Sequence, residues 1–376
     1  MINPKAFFTS LVSQDIGFFA GVPDSLLKDI CAYISDNAEQ TKHIIAANEG
    51  NALSLGIGYH LASKKIPLIY MQNSGLGNII NPLLSLADKE VYSIPILLLI
   101  GWRGEPGVKD EPQHKKQGRI TLDLLETMEI PYQVISPDDN NEDGAEKIQK
   151  IIRNINETNA PCALVVKKGS FEKYKLRNDI NGDFPLFRED AIKKIIGMLE
   201  KKDIIVSTTG VASRELFEFR TETTKEHHQD FYTVGGMGHA SQIALGIAIQ
   251  KKDKNVFCLD GDGALLMHMG SLAISASMKC ENFKHILFNN GSHDSVGGQP
   301  TVGYNINIQD IVKACGYDLV MEANTVKDIE SCINKMKSFK GTSFLEIKVK
   351  KGFRDNLGRP TTTPIDNKVS IMEFIE

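Results

Sequence analysis

Two short segments carry oxygen ligands at a spacing that suits metal–diphosphate chemistry. They are Gly261-Asp262-Gly263 and Asn289-Asn290, separated by residues 264–288, 25 positions. Asp262 offers a carboxylate, Asn290 an amide oxygen, and the loop Gly291–Ser292 a backbone carbonyl. Hard oxygen donors of this kind, completed by diphosphate oxygens, form the ligand set that Mg²⁺ prefers. The glycines let the backbone approach phosphate closely, and a helix starting near Ala264 turns its N-terminus toward the negative charge. Taken alone, Gly261–Gly263 reads equally well as a bare turn. The Asn pair beyond it favours the chemical reading.

The neighbouring elements must bring both segments to one edge. Val256–Leu259 reads as a strand that ends at the glycine turn, and His285–Phe288 as a neighbour that ends at the Asn pair. Ligands of open parallel sheets collect at the carboxyl edge of such strands. Further strand-like runs are Pro67–Gln72, Pro95–Gly101, Cys162–Lys167, Ile204–Ser207 and Phe344–Val349. Amphipathic stretches lie between them: Glu49–Ser63, Glu189–Lys201, Ala240–Gln250 and Ala264–Lys279. Several strands are unbroken aliphatic runs, as parallel strands covered on both faces require. The class is α/β, with two doubly wound parallel sheets joined by right-handed crossovers. A seam over 169–189, rich in Asn178, Asp179, Asn181, Gly182, Asp183 and Pro185, separates domains 1–168 and 190–376.

Composition narrows the function. With 43 basic against 47 acidic residues, the net charge of −4 gives no electrostatic reason to expect nucleic acid. Six scattered cysteines without a C-x-x-C pair point away from zinc and from a disulfide framework. Met1–Ala20 lacks a basic-then-apolar signal layout, and the aliphatic run Ile94–Ile100 is too short to span a bilayer. A cytoplasmic enzyme with no membrane partner is expected. The lack of a G-x-G-x-x-G after the first strand, or of a P-loop, disfavours a nucleotide-dependent protein.

The two metal-ligating segments, with Gly235-Gly236-Met237-Gly238-His239-Ala240 upstream, resemble the diphosphate-binding half of the thiamine-diphosphate-dependent decarboxylases. The resemblance implies that Thr209, Gly210, Gly235, Gly261, Asp262, Gly263, Ala264 and Asn290 contact the cofactor. It also implies that Met237 holds the cofactor bent, and that Asp262, Asn290 and Ser292 hold Mg²⁺. Ala46-Ala47-Asn48-Glu49-Gly50 resembles the pyrimidine-binding half, which makes Glu49 the carboxylic acid that activates the cofactor at its pyrimidine N1′. By itself Glu49 is a helix-start carboxylate favoured by the dipole. The resemblance covers nearly the whole chain but lacks the middle domain of larger members. It implies a homo-oligomer, at least a dimer, with the active site between subunits. A non-catalytic sensor built on this fold would be expected to lose Glu49 or Asp262, and both are present.

Segments around these motifs resemble the branch that acts on 2-oxo acids bearing a second anion. They are Gly21–Ser25, Gln72–Asn78, Gly101–Glu105, Asp110–His114, His293–Thr301, and Lys350–Arg354 with Arg359. The expected reaction is decarboxylation of 3-phosphonopyruvate to phosphonoacetaldehyde and CO₂, as in phosphonate biosynthesis. Sulfopyruvate decarboxylation and an acetolactate-type carboligation remain open. Ser25, Asn73, Ser74, Arg103, Gln113, Lys116, Arg354 and Arg359 are the substrate-binding candidates, since an Arg fork suits phosphonate. Asp24, His114 and His293 join Glu49 as catalytic candidates, to protonate the product after CO₂ leaves. A solvated mixed-charge loop is the plainer reading of residues 101–119.

Overall fold

The aliphatic runs form the middle strands of two six-stranded, all-parallel sheets, one in each of two compact units. The structure is a computed structural model that describes residues 1–177 and 182–376. Asn178, Asp179 and Asn181 of the expected seam lie outside the described residues. By internal contacts the units are Met1–Asp179 with Val296–Gln299, and Ile180–Ser295 with Pro300–Glu376.

The first unit runs α1 (Pro4–Ser13), β1 (Phe19–Gly21), α2 (Lys28–Asn37), β2 (His43–Ile45), α3 (Glu49–Ser63) and β3 (Leu68–Gln72). It continues through α4 (Leu76–Pro82), β4 (Leu97–Gly101), α5 (Pro112–Thr127), β5 (Tyr132–Ile135), α6 (Asn141–Thr158) and β6 (Cys162–Val166). Its strand order is β2-β1-β3-β4-β6-β5. Leu97–Gly101 and Cys162–Val166 are buried at every position, with Leu99 in register with Tyr70 on one side and Leu164 on the other. Helix α6 shows how a covering helix is specified. Gly144, Ile148, Ile151, Ile152 and Ile155 fall on one buried face, and Asn140 with Asp143 forms a capping box.

The second unit runs α7 (Arg188–Ile196), β7 (Ile204–Ser207), α8 (Val211–Thr223), β8 (Asp230–Tyr232), α9 (Ala240–Gln250), β9 (Val256–Gly261) and α10 (Asp262–Met267). It ends with α11 (Ser271–Ser277), β10 (Phe283–Asn289), α12 (Ile308–Cys315), β11 (Leu319–Ala323), α13 (Val326–Ser338), β12 (Ser343–Lys348) and α14 (Pro364–Ile375). Its order, β8-β7-β9-β10-β12-β11, repeats that of the first sheet when strands are counted from the start of each unit. In both, the order reverses between the first and third strands, so the loops after the first, third and fourth strands gather at the carboxyl edge.

One expectation changes. Ala264–Lys279 is not one helix: α10 begins at Asp262, and His268 leaves helical backbone (φ −134°, ψ 46°) two residues before Gly270. The seam 169–189 is packed at both ends. Phe171 is buried, bridges to Ile2 and meets the Phe7 ring edge-on at 5.0 Å, while Leu186 is buried just before α7. Among the described residues, no helix is long and apolar enough to cross a membrane.

Candidate active site

In the first unit the chain turns at the sheet edge after β2 and enters α3 at Glu49. Asn48 caps that helix by accepting from the Asn51 N–H at 2.9 Å. Glu49 is only 5% exposed. Its Oε2 accepts from Asn78 Nδ2 at 2.7 Å. Its Oε1 lies against Gly75, where a Cβ would come within 2.6 Å. The carboxyl group is thus fixed by one donor and seated in a glycine hollow.

Asp24 follows β1 and is fully buried. Gln72 Nε2 donates to its Oδ1 at 2.7 Å, and the Leu26 and Leu27 N–H groups donate to Oδ2 at 2.9 and 3.3 Å. Burial outweighs these bonds and raises its pKa above the ordinary carboxylate value. Gln72 accepts in turn from Ser74 Oγ at 2.9 Å, so Ser74, Gln72 and Asp24 form one relay. Gly101 makes room for it, since a Cβ there would lie 2.1 Å from Asp24 Oδ2.

Arg103, just past β4, is more committed than the sequence suggests. Its Nε and Nη2 make a two-point pair with Asp110, and Nη1 donates to Ser25 Oγ at 2.8 Å. Burial opposes ionisation of Asp110. Arg103 and the N–H groups of Glu111 and Gly104 outweigh it and hold that carboxyl well below the usual range. Asn73, a substrate-binding candidate, joins the Arg103 backbone to helix α5. Its Nδ2 donates to the Arg103 carbonyl at 2.8 Å and to Thr121 Oγ1 at 2.9 Å, and its Oδ1 accepts from the Arg103 N–H at 3.2 Å. Gln113 and His114 open α5 beneath Gly104, whose Cβ, if present, would strike the His114 carbonyl at 2.0 Å. Gln113 Oε1 is buried without a hydrogen-bond partner among the described residues, and Lys116 is exposed.

In the second unit Asp262 opens α10 and is 2% exposed. Thr301 Oγ donates to its Oδ2, and the Asn290 N–H also points at the carboxylate. Burial is the largest influence and lifts its pKa to about 6, with Asp294 adding to the effect. Asn290 accepts from the Ser292 N–H through Oδ1 at 3.1 Å and donates through Nδ2 to Asp294 Oδ2 at 2.6 Å. One Oδ1 lone pair remains. Its neighbour Asn289 faces inward, donating to the Gly303 carbonyl at 2.9 Å and to Glu346 Oε1 at 2.7 Å. Gly291 takes φ +63°, and its carbonyl accepts from the Thr301 N–H at 2.9 Å, which folds the loop back onto Asp262. Ser292 Oγ is buried without a hydrogen-bond partner among the described residues.

The other segments expected to meet the cofactor follow β7 and β8 of the same sheet. A Cβ on Gly238 (φ +85°) would meet His268 Cδ2 at 2.7 Å and the Ala264 carbonyl at 3.0 Å, so the turn carrying Gly235 and Met237 is wedged against α10. Thr209 and Gly210 follow β7, the strand beside β9. The His293 ring lies over Gly263, 2.8 Å from where a Cβ would stand, and burial lowers its pKa to about 4. Burial thus favours the neutral imidazole of His293, whose N–H is a hydrogen-bond donor.

Arg354 pairs with acidic side chains of α7 and α8. Its Nε donates to both oxygens of Glu189 at 3.1 Å, Nη2 to Glu218 and Nη1 to Asn356 Oδ1 at 3.1 Å, which engages each of its three nitrogens. Arg359 is exposed on the following segment, which Arg214 holds through the Gly358 carbonyl at 2.7 Å. Gln72, Asn78, Asp294 and Thr301 were not singled out among the candidates. All four lie inside or beside segments already quoted, but the side chains that they engage are not adjacent in sequence.

The donor set fits a divalent cation. A buried carboxylate whose strongest neighbours are neutral or anionic gains most from a metal charge, and an amide oxygen with a spare lone pair stands beside it.

Residues 4–129 match the family model "Thiamine pyrophosphate enzyme, N-terminal TPP binding domain", and residues 208–347 match "Thiamine pyrophosphate enzyme, C-terminal TPP binding domain". A phosphonopyruvate decarboxylase from Streptomyces viridochromogenes is 31% identical over 97% of this chain and 93% of its own length. One from Streptomyces hygroscopicus is 30% identical over 100% of this chain and 94% of its own. A sulfopyruvate decarboxylase from Methanosarcina acetivorans is 27% identical over 94% of this chain and 92% of its own. Glu49 falls within one matched domain and Asp262 with Asn290 within the other, and the chain belongs to the thiamine-diphosphate-dependent decarboxylases, built from the two cofactor-binding domains without a middle domain.

Proposed function

We propose that this enzyme decarboxylates 3-phosphonopyruvate to phosphonoacetaldehyde and CO₂, a step of phosphonate biosynthesis. The observation that carries the reading is similarity over essentially the whole chain to two proteins named for that reaction. Residues 1–168 bind the pyrimidine of thiamine diphosphate, residues 190–376 bind its diphosphate with Mg²⁺, and 169–189 join them. Asp262, Asn290 and the Ser292 carbonyl hold the metal. Thr209, Gly210, Gly235, Gly261, Gly263 and Ala264 leave room for phosphate, and Met237 supports the cofactor.

Bound thiamine diphosphate supplies the electron sink that lets the carboxylate leave as CO₂. The protein's own groups do the rest. Glu49, held by Asn78, would hydrogen-bond the pyrimidine N1′ of the bound cofactor. Asp24 keeps its proton to a higher pH than an ordinary carboxyl and sits at the head of the Ser74–Gln72 relay, so it is the first choice as proton donor to the product. His114 is the second candidate for that proton transfer, and His293, favoured as the neutral imidazole, contributes a hydrogen bond to the substrate. Arg103, pre-set by Asp110 and Ser25, faces the phosphonate, with Gln113, Lys116 and Arg359 as further contacts. The enzyme acts as a cytoplasmic homo-oligomer, at least a dimer, with neither nucleic acid nor membrane as partner.

Sulfopyruvate is the second reading, favoured by the whole-length relative of that name. The test is product identification. Purified protein with thiamine diphosphate and Mg²⁺ should convert phosphonopyruvate to CO₂ and one equivalent of phosphonoacetaldehyde. A condensation product of two substrate molecules would instead mark a carboligase.

A further inference from the structure

We infer that Asp294, itself set by Arg188, is a positioning residue that fixes the amide of Asn290 with its oxygen toward the metal. This rests on the proposed metal-binding role of Asn290. An asparagine amide binds a cation through Oδ1 only, so its value as a ligand depends on which way it is turned. Two neighbours of opposite character decide that here. The Ser292 N–H can only donate and faces Oδ1 at 3.1 Å; the Asp294 carboxylate, when ionised, can only accept and faces Nδ2 at 2.6 Å. Turning the amide over would oppose donor to donor and acceptor to acceptor.

Asp294 is itself held. Its Oδ2 also accepts from the Gly352 N–H at 3.0 Å and from Arg188 Nη1 at 3.4 Å. Arg188, on α7, is buried and donates through Nε to Glu215 Oε2 on α8 at 2.8 Å. Glu215, Arg188, Asp294 and Asn290 thus form a chain of alternating charge that ends at the metal ligand. Such a chain costs desolvation energy, which makes a merely decorative role a poor use of three buried charges. Outer partners that orient a ligand typically alter metal affinity by about 10–100-fold when removed.

The test is Mg²⁺ titration by calorimetry on full-length protein with thiamine diphosphate and no substrate. Asp294→Ala is expected to weaken Mg²⁺ binding by about 10–100-fold, and excess Mg²⁺ should restore turnover to within about threefold of wild type. Asp294→Asn keeps an acceptor oxygen at the same place and is expected to bind Mg²⁺ within about threefold of wild type. If Asp294→Ala does not fold, Arg188→Lys, which keeps a charge beside Glu215 but withdraws the fork, is expected to weaken Mg²⁺ binding in the same direction. Wild-type affinity in Asp294→Ala, or in Arg188→Lys where that variant stands in, overturns the inference. So does an Asp294→Asn variant as weak as Asp294→Ala. A wild-type protein that binds no Mg²⁺ with the cofactor would instead remove the metal-site reading beneath it.

Discussion

Gly75 and Glu49 are packed so closely that any side chain at position 75 would collide with the carboxyl group, since a Cβ there would stand 2.6 Å from Glu49 Oε1. The fit ties the loop after β3 to the first residue of α3. Glu49→Gln is expected to retain cofactor binding and to lose about 10²–10⁴ in decarboxylation rate, as for loss of one acid–base group. Gly75→Ala should move the carboxyl group and lower the rate in the same direction. Hydrogen–deuterium exchange at the thiazolium C2 should slow in parallel in both variants; unchanged exchange in Glu49→Gln would remove Glu49 from the role.

Asp262 is the acidic member of the proposed metal set, and it is buried beside groups that do not neutralise it. Chelation of Mg²⁺ from the wild type is expected to release the cofactor. In Asp262→Ala, calorimetry should find weak thiamine diphosphate binding that added Mg²⁺ no longer improves. Equal metal-dependent affinity in wild type and variant would reduce Gly261–Gly263 to a turn.

The buried carboxyl of Asp24 gives a pH-dependent stability with a definite sign. Its pKa is raised by folding, so the folded state binds the proton more tightly than the unfolded state. Stability therefore falls as pH rises from the ordinary carboxylate value of 3.8 through the raised one, and stays reduced above it. Asp24→Asn removes that penalty. Its Tm should exceed wild type at pH 7, the gap should close toward pH 4, and activity should fall by about 10²–10⁴ if Asp24 donates the proton. A variant less stable than wild type at pH 7 would contradict the burial argument.

Arg103 and Arg354 look alike in sequence and differ in the fold. Arg354 pairs with two carboxylates, Glu189 and Glu218, whereas Arg103 pairs with one, Asp110, and with Ser25 at the carboxyl edge that also carries Asp24. Arg103→Ala is expected to cut kcat/KM for phosphonopyruvate by at least about tenfold, the loss of one charged hydrogen bond. Arg354→Ala should leave the preference among 2-oxo acids unchanged. The opposite pattern would move the phosphonate to the Arg354 segment.

Much of this was legible in the chain. Pro95–Gly101 and Cys162–Lys167 are long enough and apolar enough to announce buried parallel strands, and Gly261–Gly263 with the Asn pair announced the edge where chemistry collects. Phe19–Gly21 and Asp230–Tyr232 were not legible, because three residues carry no period and pair only through their neighbours. The break after Met267 was hidden because Ala264–Lys279 keeps a helical pattern across His268 and Gly270. Side-chain partnerships were the least accessible. Arg354 meets Glu189 from 165 positions away, and Thr301 reaches Asp262 from 39, separations that only the folded topology closes.

The most direct measurement is kcat/KM for phosphonopyruvate, sulfopyruvate and pyruvate at one pH and salt concentration, with thiamine diphosphate and Mg²⁺ saturating. Pyruvate lacks a second anion and leaves the cationic contacts unmet. Two charged hydrogen bonds at ~1.5–3 kcal/mol each correspond to discrimination of about a hundredfold or more. Sulfopyruvate has a similar shape but carries less charge than fully ionised phosphonate, so a smaller disadvantage is expected. The expected order is phosphonopyruvate, then sulfopyruvate, then pyruvate, with at least about a hundredfold between first and last. Sulfopyruvate or pyruvate turned over as efficiently as phosphonopyruvate would contradict the proposed substrate.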